Sequence, residues 1–301
     1  MECESLAVIL LIILSAFIHV GWNLLSKGHQ PSASFFLVAC LTGALLLSPS
    51  LLLYRDAAAH IPFRVWEILL ISGFFQALYY TSLAGAYRYG DISVAYPIAR
   101  STPVIVVSIA TLILGRGDQI SDLCIAGIFL VVGGCFLVPR QRFSDLDIRD
   151  YFNPTCGLAL LAAAGSAGYS MLDDEALRRL GLDAQISIGK TQTALLYACL
   201  EALAASLWLS LFVAFRRRGP SNARSVFRHA VLAGAGIHIT YLIILISLTF
   251  ASNVTYVVGF RQISVPLGTT LGIIVLKEAP HPPKIAGVTI MFFGLMMIAM
   301  G

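Results

Sequence analysis

The stretch DISVAYPIARSTPVIVVSIATLIL, residues 91–114, decides the environment of the whole chain. It is long and apolar enough to cross a bilayer as a helix, since a span takes about 20 mainly apolar residues. One member does not belong in hydrocarbon. Arg100 lies nine residues in, about 13 Å along a helix that rises about 1.5 Å per residue. A guanidinium at that depth costs several kcal/mol unless something compensates it.

Composition agrees with this reading. Of 301 residues, 58% are hydrophobic and 12% charged, where soluble domains carry about 25% charged residues. A water-soluble chain of this length cannot bury so much apolar side chain. Runs that read as spans fall at 6–25, 34–54, 65–87, 92–114, 120–138, 154–173, 190–215, 228–250, 254–276 and 283–300, joined by short loops. The apolar run that starts near the N-terminus has acids where a signal peptide has a basic region, and reads as a retained first span. The expected fold is an all-α polytopic membrane protein with ten transmembrane helices.

A repeat runs through the chain at an offset of 160 residues. Val94-Ala95-Tyr96 corresponds to Val254-Thr255-Tyr256, Ile125-Ala126-Gly127 to Ile285-Ala286-Gly287, Gly134 to Gly294, and Asp118 to Glu278. Five spans followed by five spans force the halves into opposite orientations, the inverted-repeat plan of transporters with a shared site near the midplane. The expected division is 1–140 and 154–301, linked by 141–153, with the two repeats around a central cavity.

Cations set the orientation. Loops after odd-numbered spans hold twelve Lys and Arg, and loops after even-numbered spans hold six. The positive-inside rule places the first set in the cytoplasm and both termini outside. The remaining two of the twenty cations are Arg100 and Arg261, in corresponding spans of the two halves. Two guanidiniums in equivalent helices point to one polar cavity, although a single arginine can also snorkel or hold a helix C-terminus.

Neighbouring residues fit a cavity. Tyr96 is one turn before Arg100, Ser264 one turn after Arg261, and Tyr256 lies nearby on the same span. Pro97, Pro103 and Pro266 lack backbone donors and free carbonyls one turn earlier. His19, Trp22 and Asn23 share a face of span one; Gln76, Tyr79 and Tyr80 lie in span three; His238 and Tyr241 lie in span eight. Each of these clusters also suits interfacial or packing roles. Glu201, an acid near mid-depth of span seven, is a candidate for proton coupling or for pairing with an arginine. Asp173 and Asp174 read as interfacial.

The chain contains no catalytic motif such as H-E-x-x-H or G-x-S-x-G, no phosphate-cradling loop and no paired carboxylates within one span. The six cysteines are scattered, with no C-x-x-C pair, and read as small buried hydrophobes rather than as metal ligands or a disulfide framework. The expectation is therefore a protein that is not an enzyme, with no cofactor, no metal and no nucleic-acid partner.

The segments HVGWNLLSK (19–27), GDISVAYPIARSTPV (90–104), YSMLDDEAL (169–177), ASNVTYVVGFRQISV (251–265) and GIIVLKE with KIAGVTIMFFG (272–278, 284–294) resemble the drug/metabolite transporter superfamily, EamA type with ten spans. The resemblance implies two inverted five-helix repeats around a cavity lined by spans one, three, four, six, eight and nine, with Tyr96, Arg100, Tyr256 and Arg261 facing it. Small four-helix relatives that export cationic drugs use a glutamate in their first span. Span one here has no such acid, which argues against lipophilic cations as cargo. Relatives are often drawn with both ends inside, the opposite of what the cation count indicates.

The function expected is secondary transport of a small anionic or zwitterionic metabolite (carboxylate, phosphate-like or amino acid) by alternating access. Its partners would be the substrate, the lipid bilayer of a bacterial inner membrane and a coupling ion such as a proton, in a monomer or homodimer. The alternatives are the same fold exporting neutral or cationic compounds, a non-transporting scaffold, and a lipid-directed enzyme using His19 or His238.

Overall fold

The computed structural model describes residues 2–29, 31–113, 121–144, 151–183, 186, 188–215, 223–250 and 263–300. Those residues form twelve helices: α1 (Glu2–Gly28), α2 (Ala33–Leu47), α3 (Pro49–Leu53), α4 (Arg55–Ala59), α5 (Phe63–Tyr89), α6 (Ile92–Ile113), α7 (Asp122–Leu137), α8 (Pro154–Leu182), α9 (Lys190–Phe215), α10 (Ala223–Phe250), α11 (Ser264–Val275) and α12 (Pro282–Met300). Among the described residues, seven helices are long and apolar enough to cross a membrane. They lie in α1, in α2 continued through α3, and in α5, α8, α9, α10 and α12. Helices α7 and α11 are apolar but shorter, and α6 runs 22 residues with Pro97 and Pro103 inside it.

The bundle is apolar outside as well as inside. Leu45, Leu52, Phe63, Phe129 and Phe215 are all more than 70% exposed, as side chains facing lipid would be. Helix starts are sealed locally. Ser32, Ser121 and Asn153 each accept from the backbone N–H three residues on, so those orphan donors are satisfied. The apolar run at 34–54 is not one straight helix. Pro49 has no N–H to give Leu45, so Ser48 N–H donates to the Leu45 carbonyl instead, and the chain continues as the short α3 and α4.

Helix pairing has an exchange pattern. Helix α5 packs along α8 and α9, while α10 packs along α1 and α2; α6 meets α8, while α11 meets α1. Helices α2 and α9, α6 and α11, and α7 and α12 pair with each other. Swapping α1, α2, α5, α6 and α7 with α8, α9, α10, α11 and α12 turns this set of pairings into itself.

The α7–α12 contact shows the same exchange in atomic detail. A Cβ placed on Gly127 would lie 2.6 Å from the Gly294 carbonyl oxygen, and one on Gly294 would lie 2.7 Å from that of Gly127. The corresponding distances for Gly134 and Gly287 are 2.6 and 2.7 Å. Only glycine lets the backbones come this close, the small-residue packing expected of membrane helices.

Glu278 ties the last hairpin to α6. Its two carboxylate oxygens accept from Ile92 N–H at 2.7 Å and Ser93 N–H at 2.8 Å, capping the positive end of that helix. Lys284, only 2% exposed, donates to Ser93 Oγ at 2.8 Å and to the Ala279 carbonyl at 3.0 Å. Glu278→Ala leaves two buried N–H groups without acceptors and is expected to cost about 1–3 kcal/mol. Glu278→Gln keeps one acceptor and should cost less. Thermal unfolding of the detergent-solubilised variants measures both.

Candidate functional site

Helix α6 places its two prolines around Arg100. Pro97 and Pro103 have no N–H to give Ser93 and Ala99, so those two carbonyls, on either side of the guanidinium, lack their usual helical donor. The Arg100 side chain makes no hydrogen bond or ion pair among the described residues, and its buried Nε has no partner. It borders a cavity of about 10 Å³, room for roughly one water, whose other walls are Ser15, Ala16 and His19 from α1, Thr240 from α10 and Ser264 from α11. Ser264 Oγ is also buried without a partner, as are Ser101 Oγ and Thr269 Oγ1. Donors held unsatisfied this way are costly in a dry interior, and a ligand acceptor relieves them.

His19 is oriented by a chain of polar groups. Tyr87 OH donates to Asn23 Oδ1 at 2.6 Å, and Asn23 Nδ2 donates to the His19 carbonyl at 2.7 Å, which fixes the amide orientation. The same Nδ2 lies 3.3 Å from His19 Nδ1, and Tyr96 OH lies 3.0 Å from it. With a donor already facing Nδ1, that nitrogen accepts from Tyr96, and the neutral ring carries its proton on Nε2. Trp22 packs edge-on against His19 and Phe36, with its buried Nε1 unpartnered.

A second polar cluster joins α5, α8 and α9. Gln76 Nε2 donates to Glu201 Oε1 at 2.6 Å. Ser72 Oγ and Tyr197 OH both donate to Asp173 Oδ1, at 2.5 and 2.7 Å. Ser72 and Gln76 stand one turn apart on α5, and Tyr197 and Glu201 one turn apart on α9, so these bonds set the Asp173 and Glu201 side chains next to each other. Tyr79 and Tyr169 pack edge to face with ring centres 5.9 Å apart, in electrostatic reach of Arg100; Tyr169 is also in reach of Glu201 and Asp173.

Of the residues singled out in the sequence, His19, Arg100 and Ser264 line the cavity, and Tyr96 and Asn23 brace His19. Gln76 instead serves Glu201, and Tyr80 stacks on Phe36 at 4.8 Å. His238 donates from Nδ1 to the Gly234 carbonyl at 2.8 Å and lays its ring in the space left by Gly43. Tyr241 packs beside Leu47, Ala198 and Cys199. Arg261 and Tyr256 lie outside the described residues. Asp173, half-buried, accepts hydrogen bonds from Ser72 and Tyr197. Ser15 and Thr240 line the cavity and were not singled out. Ser15 stands one turn before His19, so the spacing that grouped His19 with Asn23 extends to it.

Residues 6–139 match the EamA-like transporter family. No curated protein matches the chain. Twelve chains of solved structures do. One of them, described as "Crystal structure of protein", superposes with a TM-score of 0.63 at 16% identity, over 97% of this chain and 96% of that one. At that identity the likeness is one of fold alone.

Proposed function

We propose that this chain, whose residues 6–139 match the EamA-like transporter family, is a multi-pass membrane transporter of a particular class of small molecule. The cargo is a small anionic or zwitterionic metabolite (a carboxylate, a phosphate-like group or an amino acid) whose negative end binds at Arg100. The observation that carries the reading is the unpartnered Arg100 Nε beside an unpartnered Ser264 Oγ at one cavity. A planar guanidinium matches a carboxylate or phosphate through two parallel hydrogen bonds. On this reading Arg261, in the corresponding span of the other half, is the second guanidinium for the same anion.

A cavity holding about one water is too small for an organic solute. Loading therefore requires the helices around Arg100 to part, as in alternating access. The exchange of helix pairings and the reciprocal glycine contacts support two inverted five-helix repeats, 1–140 and 154–301, as the moving units. Glu201 serves the coupling ion.

The test is thermal stabilisation of the purified protein by matched sets of small acids, amines and neutral analogues. Acids or zwitterions should raise the unfolding temperature where the matching amines do not. Stabilisation by amines alone would move the cargo to the cationic class. The twelve-to-six cation split further supports termini outside the cytoplasm of a bacterial inner membrane. A fluorescent reporter that matures only in the cytoplasm, fused after residue 301, should stay dark; a bright fusion reverses the orientation.

A further inference from the structure

Glu201, 7% exposed, sits midway along α9, and Asp173 on α8 is placed beside it because Ser72 and Gln76, one turn apart on α5, donate to Asp173 and Glu201 respectively. Together they would carry two negative charges. Every ion pair among the described residues lies elsewhere: Arg55–Asp56, Arg64–Glu67, Arg178 and Arg179 with Glu175, and Lys284–Asp91. The pair's partners from neighbouring helices are neutral. They are Ser72 and Gln76 on α5 and Tyr197 on α9, with the titratable Tyr169 on α8, Tyr80 on α5 and Cys40 on α2 near by. From α6, Arg100 reaches Tyr79 and Tyr169. On α10, His238 is turned to Gly43 and the Gly234 carbonyl. Two adjacent carboxylates cannot both stay ionised in a dry site with no cation between them, so they retain a proton.

The same two helices, α5 and α8, also border open space within two turns of the pair. A cleft of about 400 Å³ opens between α5 and α8, lined by Arg64, Glu67, Ile68, Ile71 and Arg179. Ile68 is one turn before Ser72, the residue that holds Asp173. Arg179 is six residues after Asp173, about 9 Å along the helix. Asp173 is half-buried, whereas Glu201 is buried, so Asp173 is the member of the pair nearer to water.

We propose that Asp173 and Glu201 share one proton and form the proton-binding site of this protein, filled from the α5–α8 cleft and separate from the Arg100 cavity. The proton arrives from water at the Asp173 carboxyl and is held between the two acids; it leaves by the reverse path, restoring the second carboxylate. That the proton drives transport rests on the transporter reading, whereas its being shared does not.

The experiment is infrared titration of the purified full chain against pH, read at the protonated-carboxyl stretch, together with potentiometric proton counting. The parent should show one buried protonated carboxyl that is lost at high pH. Glu201→Gln should lose that band and bind one proton fewer. Asp173→Asn should do the same, because each leaves a lone carboxyl beside a neutral amide. Tyr197→Phe, which keeps both acids, should keep the band. A parent without the band, or a folded Glu201→Gln or Asp173→Asn protein that retains it, overturns the proposal. Neither result bears on whether acids bind at Arg100, which the stabilisation series measures separately.

Discussion

Arg100→Ala is expected to weaken binding of the transported anion by roughly ten- to a hundred-fold, the value of one charge-assisted contact of about 1.5–3 kcal/mol. Arg100→Lys keeps the charge but replaces a planar fork by a point charge, so it should fall between the parent and the alanine variant. The variant protein should remain folded. Among the described residues the guanidinium makes no hydrogen bond or ion pair whose loss would unfold the bundle, and its Nε is unsatisfied. Removing it even relieves a buried donor. Affinity of each variant for a stabilising acid, measured on protein with the parent's elution profile, gives the answer. Equal affinity in Arg100→Ala would make the arginine structural.

Gly134→Leu should nearly abolish recovery of folded protein. Its Cβ would meet the Gly287 carbonyl at 2.6 Å and the backbone nitrogen of Met291 at 3.0 Å, neither of which can swing aside. Forcing added carbons into a close-packed contact costs typically about 1–3 kcal/mol and more where backbone must move. Gly294→Leu, its counterpart at an offset of 160, should do equal damage, because it meets the Gly127 carbonyl at 2.7 Å. Thermal unfolding and yield of the two variants test this. A large difference between them would argue against an interface with two equivalent halves.

Much of this architecture was legible in the sequence because membrane helices leave a coarse signal. Long apolar runs gave the helices, and the glycines matched at 127 and 287 and at 134 and 294 meet across one interface. Arg100 stood out because its cost in hydrocarbon does not depend on its neighbours. What failed depended on neighbours. Asp173, near the end of an apolar run, read as interfacial, and no spacing within its own helix showed that Ser72 and Tyr197 from other helices donate to it. Gln76 could have faced either polar cluster, and only the packing of α5 against α9 turns it to Glu201. His238 shares a helix with the cavity-lining Thr240 but fills the gap beside Gly43, which no spacing within its own helix could reveal. Pro49 predicts a break in α2, but an uninterrupted apolar run from 34 to 54 concealed it.

Anion transport through the α6 guanidinium, as proposed above, predicts a direct functional result. The most direct measurement is exchange of a radiolabelled acid, chosen from those that stabilise the purified protein, across vesicles containing the parent, Arg100→Lys or Arg100→Ala. The parent should exchange the label, the lysine variant should do so with a weaker apparent affinity, and the alanine variant should fall to the level of empty vesicles at the same label concentration. Exchange by folded Arg100→Ala protein at the parent's rate and affinity would contradict the account.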